Sequence, residues 1–298
     1  MVRRRSSDER GLALIMVLWG LALLSLMALG ALSLERSARR SALDVGLRAR
    51  ADALTEAGIS RAILSLLDPE PTRRWRVDGV AQEFVFGKRH FRILIQDESG
   101  KIDLNATDRE LLVNLFVSQG LSSQAADELT DKILDWRDPT DAHRLNGAKD
   151  PEYRAAGFPY GPRNGPFQSV DELKLVMGIT PELFRRVEPA ITVYSQRPMI
   201  NPLTAPREAL LALPGFDDEK ADAAIAVRVK EAEPDKEDAG SNANSLTQPI
   251  SLFGFAFMIR ADLMDSEFQG FAKEAVVRIT GDPREPYWVL SWRDRIVN

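Results

Sequence analysis

RGLALIMVLWGLALLSLMALGALSL, residues 10–34, is the stretch on which the fold turns. Residues 12–34 carry no charge. A helix rises about 1.5 Å per residue, so these roughly 23 residues suffice to cross a hydrocarbon core. A basic leader of Arg3, Arg4, Arg5 and Arg10 precedes them, partly offset by Asp8 and Glu9. Three readings compete. A buried core helix is one, but an uncharged run of this length exceeds ordinary core helices. A cleaved secretory signal is another: Ala28-Leu29-Gly30 resembles the small-x-small cleavage pattern, which would leave Ala31 as the mature terminus. A retained membrane-spanning helix is the third, and the residues that follow favour it. Flanking charge does not orient the span, because Arg36, Arg39 and Arg40 put positive charge on its far side too.

Residues 35–67 contain no proline, and only Gly46 and Gly58 as breakers. Alanine, leucine and arginine dominate, all good helix formers. Leu43, Leu47, Ala51, Leu54, Gly58 and Ala62 step by three or four and make one face. That face is thin in large side chains, so it must lie closely on something. Asp68-Pro69 and Pro71 end the helix. Counted from Leu12 it would be about 80 Å long. A cleaved signal has no need to run unbroken into a second amphipathic half.

Short apolar-polar alternations follow. Glu83-Phe84-Val85-Phe86 and the run from Arg89 through Ile95 flank Gly87-Lys88 and predict a hairpin. Further strands are predicted at 255–260, 275–279 and 287–292, with Gly281-Asp282-Pro283 the clearest turn. One antiparallel sheet thus draws on two distant pieces of chain. Between them the pattern is helical and repeats. Ile102-Asp103-Leu104-Asn105-Ala106-Thr107-Asp108-Arg109-Glu110 is echoed by Ile200-Asn201-Pro202-Leu203-Thr204-Ala205-Pro206-Arg207-Glu208. A turn glycine and a second helix follow each copy, at Gly120 and at Gly215. Val170-Asp171-Glu172-Leu173, with Gly178 and Thr180-Pro181, is a looser third copy. Paired short helices bury their faces on one another, which predicts a compact all-α insertion. Residues 231–249, rich in Asp, Glu, Ser, Asn and Pro, read as a mobile connector. The expected fold class is α+β: a long N-terminal helix packed on an antiparallel sheet, with a large all-α insertion domain. The expected boundaries are a leader at 1–11, the helix at 12–71 (its span at 12–34), the sheet at 72–104 and 250–298, and the insertion at 105–249.

The 298 residues carry a formal net charge of −5, which argues against a general nucleic-acid binder. There is no cysteine, which removes disulfides, thiolate metal sites and cysteine nucleophiles. His90 and His143 are the only histidines, and no nucleophile elbow, phosphate loop or zinc-protease helix is present. Leu213-Pro214-Gly215-Phe216 resembles a helix-hairpin-helix DNA-binding turn, whose helix-start N–H groups hold a phosphate. Asp217, Asp218 and Glu219 occupy that helix start and repel one. A hairpin used for packing is the competing reading. Asp135-Trp136-Arg137-Asp138-Pro139-Thr140-Asp141 and Asn146-Gly147-Ala148-Lys149-Asp150 cluster oxygen donors of the kind a hard cation takes. The spacing is not that of the EF-hand loop, and Asp residues also end helices and solvate loops. Both readings stay open on residues alone.

Arg10-Gly11-Leu12-Ala13-Leu14-Ile15-Met16-Val17-Leu18-Trp19 resembles the start of the type II secretion minor pseudopilin K family (general secretion pathway protein K). So do Asp97-Glu98-Ser99-Gly100-Lys101-Ile102-Asp103-Leu104-Asn105, Asp135-Trp136-Arg137-Asp138, Tyr153, Ser169-Val170-Asp171-Glu172-Leu173, Asn201 with Thr204-Ala205, and Leu290-Ser291-Trp292-Arg293. The resemblance covers nearly the whole chain. It implies a pilin-like helix and sheet with a helical insertion, and a non-enzymatic subunit held once in the bacterial inner membrane with its bulk in the periplasm. It implies cleavage by prepilin peptidase between Gly11 and Leu12. Assembly with minor pseudopilins I and J, and with other pseudopilins, at the tip of a pseudopilus supporting export across the outer membrane is implied too. So is calcium in the insertion, for which Asp138, Asp141 and Asp150 are the candidate ligands. Met16 stands at the fifth mature position, where major pseudopilins carry a Glu that offsets the amino terminus of a neighbour; a tip subunit has no neighbour above it to neutralise. Two residues depart from the pattern. Leu12 replaces the Phe or Met common at the first mature position, and Lys149 stands where the family more often has an acid. The alternative function is a periplasmic DNA-binding protein of a competence-type pilus, using the Pro214-Gly215 hairpin.

Overall fold

The computed structural model describes residues 8–232, 251–268 and 270–296. Helix α1 covers Asp8–Leu66. After it come β1 (Gln82–Phe86), β2 (Arg89–Asp97), β3 (Ile102–Asp103), α2 (Arg109–Ser118), α3 (Ser123–Arg137), α4 (Asp150–Ala155), α5 (Pro181–Val187), β4 (Ile191–Thr192), α6 (Arg207–Leu210), α7 (Asp218–Ala232), β5 (Ala256–Leu263), β6 (Phe271–Ile279) and β7 (Tyr287–Ile296). The leader residues 1–7 and most of the predicted connector lie outside the described residues. The chain divides into two compact units between Ala53 and Leu54.

In the first unit the side chains of residues 14–29 are all exposed, Trp19 and Met27 among the most so. No helix among the described residues is long and apolar enough to cross a membrane. Those side chains fall short of the about 20 that a span needs. The uncharged sequence continues beyond them on both sides.

In the second unit the end of α1 lies on the sheet. Its buried stripe is Thr55, Gly58, Ile59, Ala62, Ile63 and Leu66. A β-carbon at Gly58 would sit 3.2 Å from both the Ala261 β-carbon and the Ile93 δ-carbon, so the missing side chain sets how near the helix comes. Gly58 and Ala62 belong to the face the spacing predicts; Leu43 does not, being 67 % exposed. The stripe turns toward Ile59, Ile63 and Leu66, whose larger side chains are buried, as are Phe91, Ile93 and Ile95 of the sheet. The helix ends at Leu66, short of the predicted 71, because Pro69 lies just beyond it.

The sheet has the order β1-β2-β5-β6-β7, with every pairing antiparallel. The predicted hairpin is present: Phe86 pairs Arg89 across Gly87, whose φ of 63° is left-handed. β2 pairs β5 with Asp97 opposite Phe257. The insertion therefore leaves and returns at neighbouring points of one sheet. Lys273 of β6 reaches back to Glu56 of α1 at 3.1 Å.

Helices α2 to α7 pack around Leu112, Phe116, Ile133, Trp136, Tyr153 and Phe184, all buried. The insertion is helical, as expected, and a short parallel ladder ties it to its root: β3 pairs β4, Ile102 with Ile191 and Asp103 with Thr192. Two residues carry no periodicity, so the pattern could not show it. The three repeat copies share a device. Gly120, Gly178 and Gly215 have φ of 91°, 100° and 82°, and each precedes a helix started by a polar side chain. Ser122 Oγ accepts from Ala125 N–H, Thr180 Oγ1 from Leu183 N–H, and Asp217 Oδ1 from Lys220 N–H. Such caps stabilise by about 1 kcal/mol each.

Candidate functional site

The insertion's root is built from the segment after β2. Asp97 accepts from the Ser99 N–H at 2.8 Å and the Ser99 hydroxyl at 2.6 Å, which turns the chain. Burial raises the Asp97 pKa despite those bonds. Glu98 pairs with Lys101 at 2.7 Å and accepts from the Thr192 hydroxyl. Asp103 accepts from Gln196 N–H at 2.7 Å and Ser195 Oγ at 3.1 Å. The second repeat copy folds back onto the segment just before the first: Asn201 N–H donates to Ser99 O at 2.8 Å, and Gln96 Nε2 to Thr204 O at 2.6 Å. These buried polar groups are mutually satisfied, which specifies one arrangement of the root.

A second polar cluster holds the insertion to the far edge of the sheet. Glu274 of β6 faces Arg293 and Arg295 of β7. Arg293 reaches Asp171 at 3.5 Å, and Arg295 reaches Glu188 at 3.1 Å. Burial pushes Glu274 up, but the two guanidinium groups outweigh it and hold its pKa below the ordinary value. Glu172, beside Asp171, turns inward. It accepts from Trp136 Nε1 and Gln168 N–H, each at 2.9 Å, and pairs with Arg163. Burial raises its pKa, yet the bonds from Arg163, Gln168 and Trp136 leave it lowered.

The acidic loop joins α3 to α4. Asp138 ends α3; its Oδ1 accepts from the N–H and hydroxyl of Thr140, and those bonds lower its pKa. Asp141 is exposed. Asp150 opens α4, lies largely exposed and meets Arg154 at 3.4 Å. Among the described residues no group of three or more His, Asp or Glu could hold a metal ion, so Asp138, Asp141 and Asp150 are not brought together as one. The buried carboxylate here is Asp135, which accepts from Arg144 N–H at 3.1 Å and Arg144 Nη1 at 2.6 Å. A β-carbon on Gly147 would fall 1.7 Å from Asp135 Oδ2, so only glycine fits beside it. The donor set does not fit calcium, which takes six to eight oxygens, often several carboxylates. Arg144 carries no motif that marks it in the sequence; it is one of several bases among the acids, with Arg137 and Lys149.

At the Pro214-Gly215 turn, Asp217 caps α7 and its pKa is lowered chiefly by the Lys220 N–H. Lys220 Nζ donates to Gly215 O at 2.6 Å, and Arg207 is engaged by Asp218 and Asp222. Carboxylates thus take the helix start and the nearby cations, leaving nothing to hold a phosphate. Gly11 and Leu12 lie within α1. Met16 is 63 % exposed on it. His90 lies on β2, and in the acidic loop His143 Nδ1 lies 2.9 Å from Arg144 O.

Comparison with known proteins bears on this arrangement. Residues 94–196, from the end of β2 through the root and the acidic loop, match the family model described as type II secretion system (T2SS), protein K. Type II secretion system protein K of Klebsiella pneumoniae is 30 % identical over 231 residues, 68 % of this chain and 69 % of that protein. This chain belongs to the type II secretion system protein K family. The protein K of Pectobacterium carotovorum subsp. carotovorum is 35 % identical over 99 residues, 32 % of this chain and 29 % of that one. The fold is also that of a chain in the crystal structure of the GspK-GspI-GspJ complex from the type 2 secretion system of enterotoxigenic Escherichia coli. There the TM-score is 0.55 at 17 % identity, covering 87 % of this chain and 98 % of the other. The α+β class with a helical insertion agrees with that likeness. As a protein K, the chain is a component of a type II secretion system; the DNA-binding alternative finds no support.

Proposed function

We propose that the chain is a minor pseudopilin at the tip of the type II secretion pseudopilus, a structural subunit with no catalytic step of its own. Residues 12–34 anchor it in the inner membrane, prepilin peptidase removes residues 1–11 between Gly11 and Leu12, and the rest lies in the periplasm. Its partners are the minor pseudopilins I and J. The observation that carries the reading is the placement of the insertion. It grows from between β2 and β5 of a sheet packed on the end of α1, so it adds bulk without breaking the helix-and-sheet unit. Bulk of that size obstructs a further subunit stacked above it, which suits the last position of a filament. The GspK-GspI-GspJ complex, which includes a chain of this fold, supports the choice of partners. The absence of a carboxylate at Met16 agrees with it.

Co-expression with the I and J pseudopilins of the same system tests the reading. A three-component complex on size exclusion is expected. Elution of the chain alone, at concentrations where I and J bind each other, would contradict it.

A further inference from the structure

Lys149 sits at the centre of the acidic loop and is 6 % exposed. An ammonium group has three N–H donors. All three are used: Nζ donates to Asp135 O at 2.8 Å, to Asp138 O at 2.9 Å and to Asn164 Oδ1 at 2.8 Å. Two main-chain carbonyls and an amide oxygen are the neutral donors that a hard cation accepts. Asn164 has a φ of 52°, a left-handed conformation that Asn tolerates better than most residues, while its oxygen reaches Lys149. The nearby carboxylates of Asp135 and Asp138 are engaged by Arg144, at 2.6 and 3.5 Å. A divalent ion brought here would meet two positive groups and find its oxygens taken.

We propose that the Lys149 ammonium is the resident cation of the α3–α4 loop, so that the loop folds without a divalent metal. The stem of Lys149 leaves the chain one residue before Asp150 starts α4. Glu152 Oε2 accepts the Lys149 N–H at 2.8 Å, which fixes that stem at the helix start. The ammonium therefore ties the end of α3, the start of α4 and the segment at Asn164 together. Charge-assisted bonds of this kind are roughly twice as strong as neutral ones. Replacing the ammonium by a carboxylate would leave the three neutral oxygens beside added negative charge, a set suited to a hard cation.

Thermal unfolding of the full chain in detergent, stripped with chelator, tests this. The native chain should melt within about 1 °C with chelator or with about 1 mM calcium, since a ligand bound only by the folded state would raise Tm. Lys149→Met should melt about 4 °C lower or more, with or without calcium, because it leaves buried carbonyls unpaired. Lys149→Asp should melt low in chelator and regain about 3 °C or more with calcium. A native chain that calcium stabilises by about 3 °C or more would overturn the proposal, and this arm stands even if the variants do not fold. So would a Lys149→Met chain melting as the native one does, or a folded Lys149→Asp chain indifferent to calcium.

Discussion

Gly100 lies against the main chain of Thr204: a β-carbon on Gly100 would fall 2.6 Å from both the carbonyl carbon and oxygen of Thr204. The second repeat copy meets the insertion's root at this point, and backbone cannot move aside as a side-chain tip can. Gly100→Ala is expected to cost about 1–3 kcal/mol, the usual range for overpacking a tight site. Thermal unfolding of the full chain should show Tm lowered by several degrees. An unchanged Tm would mean that the root is looser than its geometry.

Glu172 gives a prediction in pH. Its folded pKa is held below the ordinary glutamate value, after burial and the bonds from Arg163, Gln168 and Trp136 are set against each other. The unfolded chain therefore binds more protons than the folded one in this window. The stability from Glu172 is fully present above about pH 4.3 and is lost as pH falls through the lower folded value. Urea unfolding of Glu172→Gln should show lower stability than the native chain at pH 7, with the gap closing as pH drops below about 4. A gap that stays constant to pH 3 would assign the loss to something other than the charge.

Gly58 gives a prediction in packing. A leucine there gains helix propensity, by up to about 1 kcal/mol, but must displace Ala261, Ile93 and Phe91 of the sheet. The clash wins, at about 1–3 kcal/mol or more. Gly58→Leu should reduce protease resistance of the region after Ala53, while Leu64→Ala, at a side chain 64 % exposed on the same helix, should leave it unchanged.

Much of this architecture is legible in the sequence because its signals are local. The hairpin at Gly87-Lys88 shows in alternation over a few residues, and the three turn glycines recur with the repeat. β5 is longer than its apolar core suggests. It runs on to Leu263, because Arg260 and Asp262 pair with each other on the less buried face. Other features carry no signature in residue type. The ladder of Ile102 with Ile191 joins residues far apart in the chain and has no period. The partners of Lys149 include two main-chain carbonyls, which every residue has. The acidic residues of the loop show in the sequence; the ammonium among its oxygens does not.

Position 16 yields a prediction about function. Glu in place of Met16 would put an ionisable group in an apolar bundle with no amine to meet it, which is costly unless it stays protonated. Met16→Glu should secrete no better than the parent. A clear gain in export would contradict the tip assignment.

The register of Asp97 opposite Phe257 allows the insertion to be replaced by a short turn joining β2 to β5. If the bulk of the insertion ends the filament, that variant, once shown to fold by protease resistance, should alter the length or number of pseudopili in cells overproducing the major subunit. Unchanged pseudopili would remove the steric argument.

The most direct measurement is the position of the chain in the filament. Pseudopili assembled with an epitope-tagged chain can be gold-labelled and viewed by electron microscopy. The account predicts label at one end of each pseudopilus. Label distributed along the shaft would contradict it.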